Sequence, residues 1–295
     1  MQKIIFSLPA YRAFAEDFLK HKQFELGEYR EQRFSDGTLF VSPNSDVRDK
    51  ECIIIGGITP HEDLTEILLL AHTLKKEGAR KIIAVFPYLG YARQDRDKPA
   101  ESWGIKWLGE ICAASGIDQV VTVDVHSPAA MDNFKIPLIS LSAVETLAKE
   151  LAPEFEKTTI CIAPDEGAVE DCAQFCSYNT TNEISHFKKE RQDTGVRLLD
   201  FYGEIADKVI LVDDVLDTGG TLLLACSRLQ EMGAKEIIIV VTHGLFSTPS
   251  WTKLWDVGVK RIYCTDSNPL INNASSSSLV IISIKDLIVK YFLIP

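Results

Sequence analysis

The segment Val209-Ile210-Leu211-Val212-Asp213-Asp214-Val215-Leu216-Asp217-Thr218-Gly219-Gly220-Thr221 joins residue types that together can hold a phosphate and a sugar. An apolar run of strand length is followed by two acids, a short polar loop and the start of a helix. Gly219 and Gly220 let backbone N–H groups approach an anion, Thr218 and Thr221 add hydroxyl donors, and the N-terminus of the new helix favours a phosphate through its dipole. Asp213 and Asp214, read as lying at the strand's carboxyl end, can accept hydrogen bonds from vicinal sugar hydroxyls in the crevice where open α/β sheets take their ligands. A plain helix cap with a glycine turn would need neither the paired acids nor the second threonine. No lysine follows the glycines as in a Walker A loop, and the spacing is not the GxGxxG of dinucleotide folds.

Such a loop needs a buried parallel sheet behind it. Apolar runs of strand length recur at Cys52 to Gly56, Lys81 to Phe86, Gln119 to Val123, Ile160 to Ala163, Val209 to Val212 and Glu236 to Val241. Their near-continuous apolar character predicts strands covered on both faces, hence parallel sheets. Amphipathic stretches at Leu64 to Glu77, Ile105 to Ala114, Val144 to Leu151 and Leu222 to Met232 predict the intervening helices, with Gly78, Gly116 and Gly233 closing three of them. The two halves echo each other. Glu77-Gly78-Ala79-Arg80-Lys81-Ile82-Ile83 parallels Glu231-Met232-Gly233-Ala234-Lys235-Glu236-Ile237-Ile238, and Val123-Asp124 parallels Val212-Asp213. The expectation is two related α/β domains, residues 1–142 and 143–284, with a closing helix at 285–295 that packs back on the first. Ser275 to Ser278 reads as a solvated turn.

A chain of 295 residues with 46% hydrophobic and 25% charged positions suits two domains of ordinary size and excludes a disordered or fibrous class. No apolar run approaches the ~20 residues of a membrane span, and the first residues are too weakly apolar for a signal peptide, so a cytoplasmic, soluble protein is expected. The net charge of −11 argues against a nucleic-acid or anionic-membrane surface but not against nucleotides, which need only local cations. Seven cysteines, an odd number without a CxxC pair, read as reduced core thiols. Cys172 and Cys176 stand one helical turn apart, but no second pair completes a metal site.

Beyond the loop, the chain resembles the ribose-phosphate pyrophosphokinases, the phosphoribosyl pyrophosphate synthetases. The resemblance runs through Arg33-Phe34-Ser35-Asp36-Gly37, Pro87 to Arg96, Val121 to Ser127, Ala163 to Ala168, Lys188-Lys189-Glu190-Arg191 and Thr242 to Ser247. The Tyr91-Ala92-Arg93-Gln94-Asp95-Arg96 run and the Val123-Asp124-Val125-His126 strand end select the synthetases over other phosphoribosyltransferase relatives. What the resemblance implies is two tandem type I phosphoribosyltransferase-like domains, each a mainly parallel sheet flanked by helices, with ATP on the first and the sugar phosphate on the second. It implies transfer of the β,γ-pyrophosphoryl group of ATP to O1 of ribose 5-phosphate, with Mg²⁺ as cofactor.

By the same resemblance, Asp217, Thr218, Gly219, Gly220 and Thr221 hold the 5-phosphate, and Asp213, with Asp214 beside it, binds the ribose. Arg191 assists there, and Lys189 is the cation over the group in transfer. Arg93 and Gln94 meet ATP, with Phe34 and Asp36 bordering the adenine from a neighbouring subunit of a dimer or hexamer. His126 and Asp165 correspond to contacts with Mg²⁺ or its nucleotide. His243 is read as a supporting group, whereas His21, His61, His72 and His186 are read as structural. The chain departs from the family pattern at Thr38, where a glutamate is usual, and at Trp103-Gly104 in the segment that forms a lid over ATP. It departs again at Glu166 and at Thr194-Gly195. These departures keep two alternatives open: transfer to a larger ribose phosphate such as ADP-ribose, and a catalytically silent regulatory homologue. A base-specific phosphoribosyltransferase fits least, since it would need one domain and no ATP motif.

Overall fold

The computed structural model describes residues 2–179, 184–192, 195–269 and 277–294, with the backbone alone given for those between 189 and 199. Thr194 and half of the Ser275 to Ser278 run therefore lie outside the described residues, as do the side chains of Lys189 and Arg191. The chain divides into two compact units, Met1–Leu141 with Lys285–Pro295, and Ser142–Ile284.

In the first unit the strands are β1 (Lys3–Ser7), β2 (Phe24–Leu26), β3 (Tyr29–Arg33), β4 (Leu39–Pro43), β5 (Glu51–Ile55), β6 (Lys81–Phe86), β7 (Gln119–Val123) and β8 (Leu138–Leu141). Six of them form a parallel sheet in the order β2-β1-β5-β6-β7-β8, while β3 and β4 pair antiparallel as a separate hairpin. Helices α1 (Arg12–Phe18), α2 (His61–Lys76), α3 (Gly104–Ala114) and α4 (Pro128–Asp132) connect them. Ile53, Ile54 and Ile55 are fully buried, as expected for a strand covered on both faces. The hairpin is a different case. Tyr29-Arg30-Glu31-Gln32-Arg33 carries no apolar run, and it is moored to α2 by Tyr29, whose hydroxyl donates to the buried Glu66 carboxylate at 2.5 Å.

The second unit comprises α5 (Val144–Leu151), β9 (Ile160–Ala163), α6 (Val169–Ser177), β10 (Ile184–Gln192), β11 (Gly195–Tyr202), β12 (Lys208–Leu216), α7 (Gly220–Glu231), β13 (Glu236–Gly244), β14 (Val259–Thr265) and β15 (Leu279–Ile282). Its seven-stranded sheet runs β11-β10-β9-β12-β13-β14-β15, parallel throughout except for the β10–β11 ribbon. Ile210, Leu211 and the run Ile237 to Val241 are fully buried at its centre.

Of the seven thiols expected to be reduced, Cys161 on β9 and Cys176 on α6 stand side by side, their Cα atoms 6.6 Å apart. The packing of α6 on β9 brings them together across 15 residues, a spacing with no local signature. Cys52, Cys112, Cys172, Cys226 and Cys264 are free and buried, and burial pushes each thiol up to about 12, which keeps it protonated and unreactive.

Helix α8 (Lys285–Leu293) returns to the first unit. The Phe292 carbonyl accepts from Gln23 Nε2 at 3.3 Å and Lys3 Nζ at 3.4 Å, and its ring lies 5.6 Å from that of Phe18. The Tyr291 hydroxyl accepts from Gln119 Nε2 at 2.7 Å.

Candidate functional site

In the second unit, β12 runs on to Leu216 because it pairs with β13 as far as Gly244, so Asp213 and Asp214 sit within the strand's last turn of pleat rather than at its end. Both are half-buried. Asp213 Oδ1 accepts from its neighbour's N–H at 3.1 Å. The chain then turns through Asp217 and Thr218 to Gly219, whose φ of +82° is left-handed and suits only glycine well, and α7 starts at Gly220. Space imposes the same choice: a Cβ on Gly219 would come 3.1 Å from the Trp251 Cα. At Gly220 the nearest atom to such a Cβ is Thr218 Oγ1, 4.0 Å away, so this glycine leaves an open approach to the helix N-terminus.

Asp165 follows β9, the strand beside β12, and caps the short turn Glu166–Ala168 by accepting from Gly167 N–H at 2.9 Å. Lys189 and Arg191 lie on β10, opposite Leu198 and Val196 of β11. His243, read as a supporting group, is buried at the end of β13, its Nδ1 2.8 Å from Ser267 Oγ.

In the first unit, the loop after β6 carries Arg93 and Gln94, both exposed, and the loop after the adjacent β7 carries the exposed His126. Gln94 is turned by two contacts, its Oε1 accepting from Ser102 Oγ at 2.7 Å and its carbonyl from Ile105 N–H at 3.2 Å. Ser127 Oγ donates to Asp95 Oδ2 at 2.6 Å and also accepts from Ala130 N–H at 3.2 Å, capping α4. Arg93, Gln94 and His126 thereby share one hydrogen-bonded frame. Tyr91 opens the first of these loops with a φ of +65°, its ring stacked on His61 at 6.2 Å and set edge-on to Trp107 at 5.2 Å.

Phe34, Asp36 and Thr38 form the tip of the β3–β4 hairpin. Asp36 Oδ1 accepts from Thr38 Oγ1 at 2.6 Å and Thr38 N–H at 2.9 Å, and these bonds, the hydroxyl's first, hold the Asp36 carboxyl below its usual value. Phe34 is 52% exposed, its ring edge-on to Phe40 at 6.1 Å.

Residues 3–116 match the model of the N-terminal domain of ribose phosphate pyrophosphokinase, and residues 139–276 match the phosphoribosyl transferase domain. A ribose-phosphate pyrophosphokinase of Campylobacter jejuni is 31% identical over 270 residues, covering 90% of this chain and 87% of its own. The chain belongs to the ribose-phosphate pyrophosphokinase family. The enzyme of that name from Bacillus caldolyticus is 29% identical over 291 residues, covering 97% of this chain and 92% of its own. The crystal structure of phosphoribosylpyrophosphate synthetase from Mycobacterium smegmatis superposes with a TM-score of 0.88 at 25% identity, over 99% of this chain and 98% of that one.

Within this pyrophosphokinase family member, the sequence motifs fall into separate groups. Asp165, Asp213, Asp214 and Asp217 to Thr221 belong to the second unit, Asp213 and Asp214 within β12 and the others on loops that follow strands of the same sheet or at the start of α7. Arg93, Gln94 and His126 belong to the first, so the two residues read as metal contacts, His126 and Asp165, are divided between the units. No cluster of three or more His, Cys, Asp or Glu side chains that could hold a metal ion occurs among the described residues. Asp95 and Ser127 were not singled out by sequence. Their bond spans 32 residues, and neither loop carries a pattern that would announce it.

Proposed function

We propose that this family member is an active ribose-phosphate pyrophosphokinase, transferring the β,γ-pyrophosphoryl group of ATP to O1 of ribose 5-phosphate to give phosphoribosyl pyrophosphate and AMP. The observation that carries this reading is the Asp217 to Thr221 loop, where a left-handed Gly219 and an uncrowded Gly220 open the N-terminus of α7 at the carboxyl end of a parallel sheet. A terminal phosphomonoester fits such a nest, and half-buried Asp213 and Asp214 just before it suit the hydroxyls of the attached ribose.

In the reaction O1 attacks the β-phosphorus, the bond from that phosphorus to the α–β bridging oxygen breaks, AMP departs on that oxygen, and the O1 proton passes to solvent. This chemistry needs positioning and charge neutralisation more than covalent help. Lys189 is assigned to the charge on the group in transfer and Arg191 to the sugar phosphate. Arg93 and Gln94 are assigned to ATP, and their shared frame with His126 supports a common polyphosphate ligand. The exposed Phe34, with Asp36 and Thr38, is assigned to the adenine bound by a neighbouring copy, in a dimer or hexamer. Thr38 replaces the usual glutamate but satisfies Asp36 with two hydrogen bonds, which supports an ordered tip.

Mg²⁺ is the cofactor of this reading. A carboxylate suits an ion that prefers oxygen ligands, keeps its waters and binds chiefly through phosphate oxygens. Asp165 of the second unit, oriented by Gly167 N–H, and His126 of the first are each assigned to contacts with Mg²⁺ or its nucleotide. When bound, the ion would neutralise the triphosphate. No helix among the described residues is long and apolar enough to cross a membrane, in keeping with a cytoplasmic enzyme of small substrates.

The test is AMP release from Mg·ATP with ribose 5-phosphate, with ADP-ribose and with no acceptor. AMP only with ribose 5-phosphate is expected. AMP with ADP-ribose alone would move the acceptor, and none with either would make the chain a silent homologue. Lys189→Ala is expected to lower turnover by roughly three orders of magnitude with ATP affinity nearly unchanged.

A further inference from the structure

Four consecutive residues, Leu216 to Gly219, are each held by the chain that follows β13. The Leu216 carbonyl accepts from Leu245 N–H at 2.8 Å and from Phe246 N–H at 3.4 Å. Ser247 Oγ donates to Asp217 Oδ1, and Ser250 Oγ donates to the Thr218 carbonyl at 2.7 Å. Gly219 lies against the Trp251 backbone.

Peptide geometry gives these contacts a direction. In a trans peptide the C=O and the following N–H point to opposite sides, and the peptides of this loop are trans. Fixing the Leu216 carbonyl toward 245–246 therefore turns the Asp217 N–H away from that segment. Fixing the Thr218 carbonyl toward Ser250 turns the Gly219 N–H the same way. Two N–H groups are thus turned away from the segment that follows β13, which leaves them available to an anion as in a backbone nest. A flip of the Thr218–Gly219 peptide would put the carbonyl oxygen, a negative end, where the N–H should meet phosphate.

Ser250 is well anchored for this task. It lies in a 3₁₀ segment, Pro249–Val257, whose Leu254 is fully buried and whose Trp251 ring packs on Phe246 at 4.6 Å and Trp255 at 5.9 Å. Its hydroxyl is also 2.7 Å from Thr248 Oγ1, a second partner that fixes its rotamer.

We propose that Ser250 is a positioning residue for the sugar phosphate: its hydroxyl locks the Thr218–Gly219 peptide so that the Gly219 N–H faces the 5-phosphate, while Ser247 steadies Asp217. This rests on the reading of the loop as a ribose 5-phosphate site and deepens it. Ser250 itself touches no substrate. Its contribution is preorganisation, which removes a conformational cost from binding.

The experiment is calorimetric binding of ribose 5-phosphate to the full chain and to Ser250→Ala, Ser250→Thr and Ser247→Ala, with thermal melts and ATP affinity measured alongside. Ser250→Ala is expected to weaken ribose 5-phosphate by about threefold to tenfold, the effect of one neutral hydrogen bond. Ser250→Thr, which keeps the hydroxyl, is expected to recover to within about twofold of the native value. Melting and ATP affinity should not move, and in turnover the loss should appear in KM for ribose 5-phosphate rather than in kcat. Native affinity in Ser250→Ala, or equal losses of ATP and ribose 5-phosphate affinity, would overturn the role of Ser250 and leave the proposed function standing. If Ser250→Ala does not fold, Ser250→Cys, which keeps the bulk but offers only a weak donor to the Thr218 carbonyl, decides by the same criteria. A folded native chain that does not bind ribose 5-phosphate would overturn the site reading and this inference together.

Discussion

Ser127 Oγ and Asp95 Oδ2, 2.6 Å apart, join the loops that follow two neighbouring strands, with Arg93 and Gln94 on one and His126 on the other. Ser127→Ala removes this bridge and the α4 cap together. The expected result is an ATP KM raised about threefold to tenfold and a stability loss of about 1 kcal/mol. Asp95→Asn keeps an acceptor oxygen and should lose less than the serine variant. Steady-state kinetics at varied ATP, with urea denaturation of each variant, checks both.

The two loop glycines should respond in opposite ways. Gly219→Ala meets both a left-handed φ and the Trp251 backbone, and is expected to destabilise the fold by about 1–3 kcal/mol. Gly220→Val meets no protein atom nearer than 4.0 Å at its Cβ, so the fold should survive. The added isopropyl group would instead fill the approach to α7, with ribose 5-phosphate affinity expected to fall at least about tenfold. Melting curves and calorimetry on the pair separate strain from blocked access.

Glu66 gives the hairpin a pH dependence. Burial raises its carboxyl above the usual value; the Tyr29 hydroxyl opposes this in part, and Glu31 and Asp63 add repulsion. With the folded pKa above the unfolded one, the protonated form is favoured by folding. Its stabilisation is complete below the unfolded glutamate value of 4.5 and is lost as pH rises through the raised folded value. Glu66→Gln keeps an acceptor for Tyr29 without the buried charge. It should melt about 1–3 °C higher than the native chain near pH 7.5, an advantage that shrinks toward pH 4. Glu66→Ala, which leaves the Tyr29 hydroxyl without this acceptor, should melt lower across the range.

At the opposite end of β12 from the Asp217 to Thr221 loop, Lys208 Nζ lies 3.3 Å from both Glu154 and Glu236 and 3.5 Å from Glu156, with its side chain only 13% exposed. Burial alone would raise the Glu154 carboxyl, but hydrogen bonds from Tyr263 and Lys208, with the Arg261 charge, hold it below the usual value. The stability this provides is present above the unfolded glutamate pKa and is lost as pH falls through the depressed folded one. Lys208→Met leaves three carboxylates facing one another and is expected to cost about 2–4 kcal/mol in urea denaturation, with ribose 5-phosphate affinity unchanged. A loss of affinity in a folded Lys208→Met would mean that the two ends of the strand are coupled.

What could be read from sequence was local. The run Val209 to Val212 and the glycines that follow it announce a buried strand, a glycine turn and a helix start within 13 residues, and helix α7 begins at Gly220 in that order. The interiors of both sheets were legible for the same reason, since strands covered on both faces leave long apolar runs. The hairpin was not. Its first strand, Tyr29–Arg33, has polar side chains and borrows its stability from Glu66, 37 residues away. The Ser250–Thr218 bond and the Cys161–Cys176 pair likewise depend on neighbours in the sheet rather than in the chain. For Lys189 and Arg191 the reading rests on family resemblance, and what the backbone adds is their seat on β10 of an antiparallel ribbon.

Helix α8 has a consequence for how the molecule is made. The first unit is interrupted by the whole of the second, and the ring of Phe292 and its carbonyl, which engage Phe18, Lys3 and Gln23, are translated only after residue 284. On the ribosome, the unit that starts first must wait for its closing helix while the inserted unit, a continuous stretch, has all it needs. The unit begun second is the one able to finish first, and a nascent chain halted before residue 285 would show a complete second unit and a first unit still open.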